Sequence, residues 1–212
     1  MDDRPADGRR SQFEEFKKLR FNVVARRDDT VFPGYLVATI PTATAPPVLI
    51  PGGSLHVLRV EVTTPGDRVR RDAWVAIGRA FRGVLFDDWA RLRQNPEALE
   101  AAATFADIVT RNANLFAPLS GSSRAVRVSA ATPDIFARFV ESNDAIVLVA
   151  ANYTDAEQRV TLKFDADLPE AVWQNMETGG AVNFVAGPDG PTYTRTFPPH
   201  DVVVLTIRKQ YK

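Results

Sequence analysis

From residue 124 to 212 the chain has no run with a helical period; its apolar residues fall into strand-length segments divided by turns. Such a stretch can bury its apolar side chains only by pairing strands and covering the sheet, so an antiparallel β unit constrains everything packed around it. The segments lie at 124–129, 135–140, 145–151, 160–164, 171–176, 181–184, 193–197 and 202–207. The run 145–151 is apolar throughout, which predicts a central strand. Val160, Leu162 and Phe164 alternate instead with Thr161 and Lys163, the pattern of a strand with one covered face. Turn signals sit at 152–155, at Thr178-Gly179-Gly180, at 187–190 and at Pro198-Pro199. Strands this short and this closely spaced predict a β-sandwich over 124–212.

The preceding part, residues 1–120, has a different rhythm. Residues 55–62 (LHVLRVEV) read as a strand, followed by a helix start with Thr64 as N-cap, Pro65 at the first helical position and Asp67 in the first turn. Val69, Ala73, Ala76, Ile77 and Ala80 then recur at helical spacing. Gly83 ends that helix and opens a strand at 84–86, and a second helix begins at Asn95-Pro96 and runs to about Leu115. Its residues Leu99, Ala102, Ala103, Ala106 and Val109 share a face. Strand, helix, strand, helix is the order of parallel βα units. Further upstream, residues 1–10 read as a disordered lead. A short helix is capped by Ser11 with Glu14 completing a capping box, and 21–25 and 35–40 read as strands. A proline-punctuated loop carries Pro41, Pro46, Pro47 and Pro51, and 118–123 reads as a linker. The predicted fold class is therefore α/β followed by all-β.

Composition narrows the partners. Basic and acidic side chains number 26 each, so no net charge favours a nucleic-acid backbone or an anionic membrane, and neither is expected as a partner. The N-terminal MDDRPADGRR lacks an apolar core, so no signal peptide is expected, and no stretch approaches the roughly 20 apolar residues of a membrane-spanning helix. Cysteine is absent, which removes disulfides, thiolate metal sites and cysteine nucleophiles but leaves the cellular compartment open. The two histidines and the carboxylates have no His-Glu-x-x-His spacing, Gly52-Gly53 is too short for a nucleotide loop, and no Gly-x-Ser-x-Gly elbow exists. No metal and no cofactor are expected.

The order of elements resembles the C-terminal end of a glycoside hydrolase built on a (β/α)8 barrel, in which the last βα units lead into a small antiparallel sandwich. The residues that carry the resemblance are TPGDRVRRDAWVAIGRAFRGVLFDDW at 64–89, then AIVLVAANYTDAEQRVTLKF at 145–164 and the terminal PPHDVVVLTI. The segment FEEFKKLRFNVV is similar to an early barrel unit. The resemblance implies a partial (β/α) barrel-like layer over 1–120 with an antiparallel sandwich over 124–212, and a carbohydrate substrate or polysaccharide as partner. It implies O-glycosyl hydrolysis if the chain is active. A complete barrel needs about 250 residues, so a non-catalytic carbohydrate-binding or packing module stands as the alternative. An open parallel sheet would also favour self-association.

Four residues stand out for chemistry. Glu61 lies near the carboxyl end of its strand, where barrel enzymes place catalytic groups, and its carboxylate suits a glycosidase nucleophile or a base. The other reading is a surface glutamate paired with Arg59 or Arg82. Asp87 holds the same position on the next strand, as the second catalytic candidate, with Asp88 and Trp89 as candidate substrate ligands. Aspartates there can bind sugar hydroxyls or cap a turn, and an indole can stack on a sugar or fill the core between layers. His200, in a Pro-Pro-His-Asp turn, is expected to order that corner. Asn152-Tyr153-Thr154 fits a glycosylation acceptor, and Trp173, Tyr193 and Phe197 form either a carbohydrate platform or core.

Overall fold

A computed structural model of the protein describes residues 23–25, 36–39, 55–79, 83–86, 89–116, 123–128, 134–141, 145–164 and 172–208. The expected lead and capped helix of residues 1–20, the proline loop and the linker at 118–122 lie outside the described residues. Four strands, β1 (Val23–Ala25), β2 (Leu36–Thr39), β3 (Leu55–Val60) and β4 (Gly83–Phe86), pair in parallel in the order β1-β2-β3-β4. Helix α1 (Gly66–Gly78) joins β3 to β4, and α2 (Trp89–Gln94), α3 (Pro96–Arg111) and α4 (Ala113–Phe116) follow.

The start of α1 sits one residue later than the sequence suggests. Pro65 has an extended ψ of 152° and serves as the N-cap, its carbonyl accepting from the amides of Arg68 and Val69. Thr64 instead turns its hydroxyl back to the carbonyl of Glu61 at 3.1 Å. Asn95 caps α3 as expected, its Oδ1 accepting from the Ala98 amide at 3.2 Å. The same side chain donates from its amide to the carbonyls of Val62 and Thr64, so one residue both starts α3 and ties down the β3–α1 turn.

The remaining strands form two antiparallel sheets. The larger has the order β11-β10-β13-β8-β7-β5 and the smaller β12-β9-β6. Their strands are β5 (Ser123–Ala125), β6 (Arg127–Val128), β7 (Ile135–Glu141), β8 (Ala145–Asn152), β9 (Gln158–Lys163), β10 (Trp173–Asn175), β11 (Ala181–Val182), β12 (Thr192–Phe197) and β13 (Val202–Arg208). The single strand expected at 124–129 is divided between the sheets. Val126 is the pivot, its amide donating to Ala137 at 3.0 Å on the large sheet before β6 crosses to β9.

All eight residues of β8 are buried, and the division of its side chains explains why. Ile146, Leu148 and Ala150, with Val203 and Leu205 beside them on β13, face the small sheet, where they meet Val160, Leu162 and Phe197. Val147, Val149 and Ala151 face the other way, into a second core with Val69, Ala73, Trp74, Ala76 and Ile77 of α1 and Phe105 of α3. The large sheet is thus covered on both faces, and burying each such Val, Leu or Ile side chain is worth about 1.5–3 kcal/mol. The indole of Trp74 is fully buried and meets the Phe105 ring edge-on, with centroids 4.9 Å apart.

Two glycines let α1 come this close. A Cβ on Gly78 would stand 2.8 Å from Phe136 Cε1 and 2.9 Å from Val149 Cβ, and one on Gly66 would stand 2.7 Å from the Glu97 carbonyl oxygen. Gly78→Ala is expected to lose about 1–3 kcal/mol of stability, the cost of overpacking a filled interface. A urea titration followed by tryptophan fluorescence measures it, and an unchanged midpoint would show that α1 is not held against β7 and β8.

Candidate functional site

Two regions gather polar side chains. The first is the carboxyl end of the parallel sheet. Val60 pairs with Phe86, so the chain leaves β3 and β4 at the same edge of the sheet, with Glu61 next after β3 and Asp87 next after β4. Glu61 is exposed between buried Val60 and Val62, and its Oε1 accepts from the Thr63 hydroxyl at 2.7 Å. Asp87 and Asp88 lie outside the described residues, as do the side chains of Arg59 and Arg82. Trp89 opens α2 and is 64% exposed, so it does not fill the core between layers.

The second region is the contact between α1 and the sandwich, and it is the denser. Arg70 directs Nε and Nη2 at the two carboxylate oxygens of Glu177, Nη1 at Asp201 Oδ1 (3.1 Å) and Nη2 also at the Val202 carbonyl (2.9 Å). The Trp74 indole N–H donates to the same Glu177 Oε1 at 2.9 Å, and Arg195 donates to Asp201 Oδ2 at 2.7 Å. Burial works against the Arg70 charge, but the hydrogen bonds and charges of Glu177 and then Asp201 outweigh it and hold the guanidinium above its ordinary value. Glu177 is aimed by its own turn. Asn175 Oδ1 accepts from the amides of Glu177 and Thr178, and Gly179 takes the left-handed φ of 70° that closes the loop.

One helical face further round, Arg71 is 7% exposed, with its guanidinium carbon 4.1 Å from the centre of the Tyr153 ring. It donates to Asp72 at 2.8 Å and to His200 Nδ1 at 2.8 Å. His200 Nε2 lies 2.7 Å from Asp155 Oδ1 and 3.0 Å from Arg68 Nη2. His200 has φ of 56°, and its amide donates to Thr154, so it orders the turn before β13 and also docks that turn onto α1. The hydrogen bond and charge of His200, then Arg68, hold the Asp155 carboxyl below the usual carboxylate range. Burial, then the charge of Asp72, pushes the Tyr153 hydroxyl up to about 12 against the opposing arginines.

The structure decides two further readings. Asn152 is fully buried, its amide donating to the carbonyls of Ala156 and Pro198 and its Oδ1 accepting from Thr154, so it is a turn anchor and not a glycosylation acceptor. Trp173 and Phe197 are 1% and 0% exposed, so no carbohydrate platform forms there; with Phe164, Phe184 and Tyr193 they make an aromatic core. The α1–sandwich contact had a signal in Trp74, Val75 and Gly78, which follow Arg71 at helical spacing on the side of α1 opposite Val69, Ala73 and Ala76. Its partners Asp155, Glu177 and Asp201 stand alone in turns and carry no such signal.

No family model matches the chain, and no curated protein matches it in sequence. Solved structures do match in fold. The cyclomaltodextrin glucanotransferase CldA superposes with a TM-score of 0.50 at 17% identity, over 73% of this chain and 37% of its own. The α-galactosidase I of Mortierella vinacea gives 0.51 at 12%, over 73% and 40%, and the maltogenic α-amylase AmyB of Thermotoga neapolitana gives 0.51 at 12%, over 76% and 43%. These likenesses show a fold shared with barrel-and-sandwich glycosidases, and the chain spans about two fifths of each neighbour's length.

Glu177→Ala removes the acceptor shared by Arg70 and Trp74, leaving the buried indole N–H without it and Arg70 with Asp201 and the Val202 carbonyl alone. Hydrogen bonds to charged groups are worth about 1.5–3 kcal/mol, and partial exposure of Arg70 places the expected loss toward the lower end. Equilibrium unfolding in urea measures it, and Glu177→Gln, which keeps an acceptor oxygen, should recover part of the loss.

Proposed function

We propose that the protein is carbohydrate-active, an O-glycoside hydrolase or the C-terminal portion of one, with residues 1–120 as a partial barrel-like layer and 124–212 as its sandwich. The observation that carries this reading is the parallel pairing of Val60 with Phe86, which sets the carboxyl ends of β3 and β4 side by side; Glu61 and Asp87 are the next residues in the sequence. That is where such layers carry their chemistry. The fold shared with several glycosidases supports the substrate class. In this reading Glu61 is the nucleophile or base, and Asp87 is the second carboxylate or a ligand to the sugar. The Thr63 hydroxyl fixes one oxygen of Glu61 and turns the carboxylate about that contact. The two carboxylates flank a transition state with oxocarbenium character, and their separation sets the stereochemical outcome. Asp88 binds hydroxyls, and the exposed indole of Trp89 stacks on the apolar face of a sugar.

A second reading is a non-catalytic module that packs on or binds polysaccharide. It is favoured by the exposed indole of Trp89, which can stack on a sugar without a catalytic pair. Turnover separates the two. The enzyme reading expects hydrolysis of aryl glycosides that falls at least 100-fold in Glu61→Gln, of the size general acid–base groups supply. Retention on polysaccharide beads without turnover, lost in Trp89→Ala, would favour the module. Neither turnover nor retention would overturn the carbohydrate reading.

A further inference from the structure

We infer that Asn95 is a positioning residue for the Glu61 carboxylate, acting through Thr63. Residues 61–65 belong to neither β3 nor α1, so the ladder of the sheet does not fix them. Glu61 is exposed there, and two threonines hold it. Thr63 donates its hydroxyl to Oε1 at 2.7 Å, and Thr64 donates to the Glu61 carbonyl at 3.1 Å. Both contacts are local, and ordering exposed backbone costs entropy at every residue. A hydroxyl aims a carboxylate only when its own backbone is held from elsewhere.

Asn95 supplies that hold from 31 to 33 positions along the chain. Its Nδ2 donates to the carbonyl of Val62 at 3.1 Å and to that of Thr64 at 3.0 Å, so the two peptide groups that bracket Thr63 and Thr64 hang on one amide. The amide has a single orientation, because both loop partners are acceptors while its Oδ1 accepts from the Ala98 amide at 3.2 Å. Asn95 is fixed in turn by the helices on either side. Its backbone amide donates to the Leu92 carbonyl at 3.1 Å, its carbonyl accepts from the Leu99 amide at 2.9 Å, and Leu92 and Ala98 are buried. Gly66 lets the start of α1 lie against the start of α3, since a Cβ there would stand 2.7 Å from the Glu97 carbonyl oxygen. Asn95 also follows directly on α2, whose first residue is the exposed Trp89. Carboxylate and indole are thereby referred to one side chain.

The carbon-13 resonance of the Glu61 carboxyl group, assigned by its loss in Glu61→Gln, reads the contact without any substrate. Thr63→Val, which keeps the shape and removes the hydroxyl, should move it, and Thr63→Ser should leave it near its place. Asn95→Ser and Asn95→Thr both keep an uncharged acceptor for the Ala98 amide but lose the amide donor to the two carbonyls. Each should move the resonance in the same direction as Thr63→Val. In the double variant Thr63→Val with Asn95→Ser the shift should equal that of Thr63→Val alone, because one contact is lost only once. A resonance unmoved in both Asn95 variants, or a double variant whose shift is the sum of the singles, overturns the inference. The consequence for turnover rests on the glycosidase reading. Where an aryl glycoside is hydrolysed, Asn95→Ser should lower kcat about tenfold with KM unchanged, as expected for a misaimed group. An absence of hydrolysis, with the resonances behaving as expected, would sink the glycosidase reading and leave the positioning role standing.

Discussion

The large sheet has apolar side chains on both faces, and that one constraint organises the molecule. A sandwich can hide the face carrying Ile146, Leu148 and Ala150 beneath its second sheet, but the face carrying Val147, Val149 and Ala151 needs a separate cover. Helix α1 supplies it, and this is why the second half of α1 is buried nearly all round: one side meets the sheet and the other meets α3. The α/β part and the sandwich therefore share a core in the described structure. Gly78 and Gly66 are consequences of that arrangement, since each marks a place where α1 approaches a neighbour more closely than a side chain allows.

Around this apolar contact lies a rim of paired charges. The arginines of α1 meet Glu177, Asp155 and the adjacent pair His200 and Asp201, from three turns of the sandwich. Partly desolvated ion pairs of this kind add little net stability over an apolar substitute, because desolvation offsets much of their attraction. What they impose is register: the planar fork of Arg70 fits Glu177 in one geometry, and the two ring nitrogens of His200 accept only one pattern of donors and acceptors. The sheet sets how strongly α1 is held, and the rim sets where. The orientation reached in this way is the one that carries the chain from Glu61 through Asn95-anchored Val62 and Thr64 into the helix.

Much of this was legible in the chain itself. The alternation at Val160, Leu162 and Phe164, the turn residues at Thr178-Gly179-Gly180 and the Asn95-Pro96 helix start are local signals, read from a few neighbouring residues and met by β9, the Glu177 turn and α3. Trp89 and Trp173 went the other way. Tryptophans look alike in a sequence, yet one opens a short helix at the surface and the other lies 1% exposed among Phe164 and Phe184. Asn152 failed as a sequon for the same reason, since a three-residue pattern says nothing about the carbonyls of Phe197 and Pro198 that surround it.

Of the candidate site, the sequence alone determined that carboxylates follow two strands of a βα pattern, because chain order and strand polarity are local facts. That β3 and β4 are neighbours, and that Val60 stands opposite Phe86, was decided by tertiary pairing. The contact of α1 with the sandwich belongs wholly to the tertiary level. Its partners are separated by 87 to 132 positions along the chain, and no window of sequence spans a distance that only packing brings together. Physical chemistry links the two levels at Arg71: packing covers the side of α1 that carries Trp74, Val75 and Gly78, a guanidinium is buried with them, and the folded chain must then bring it an acceptor.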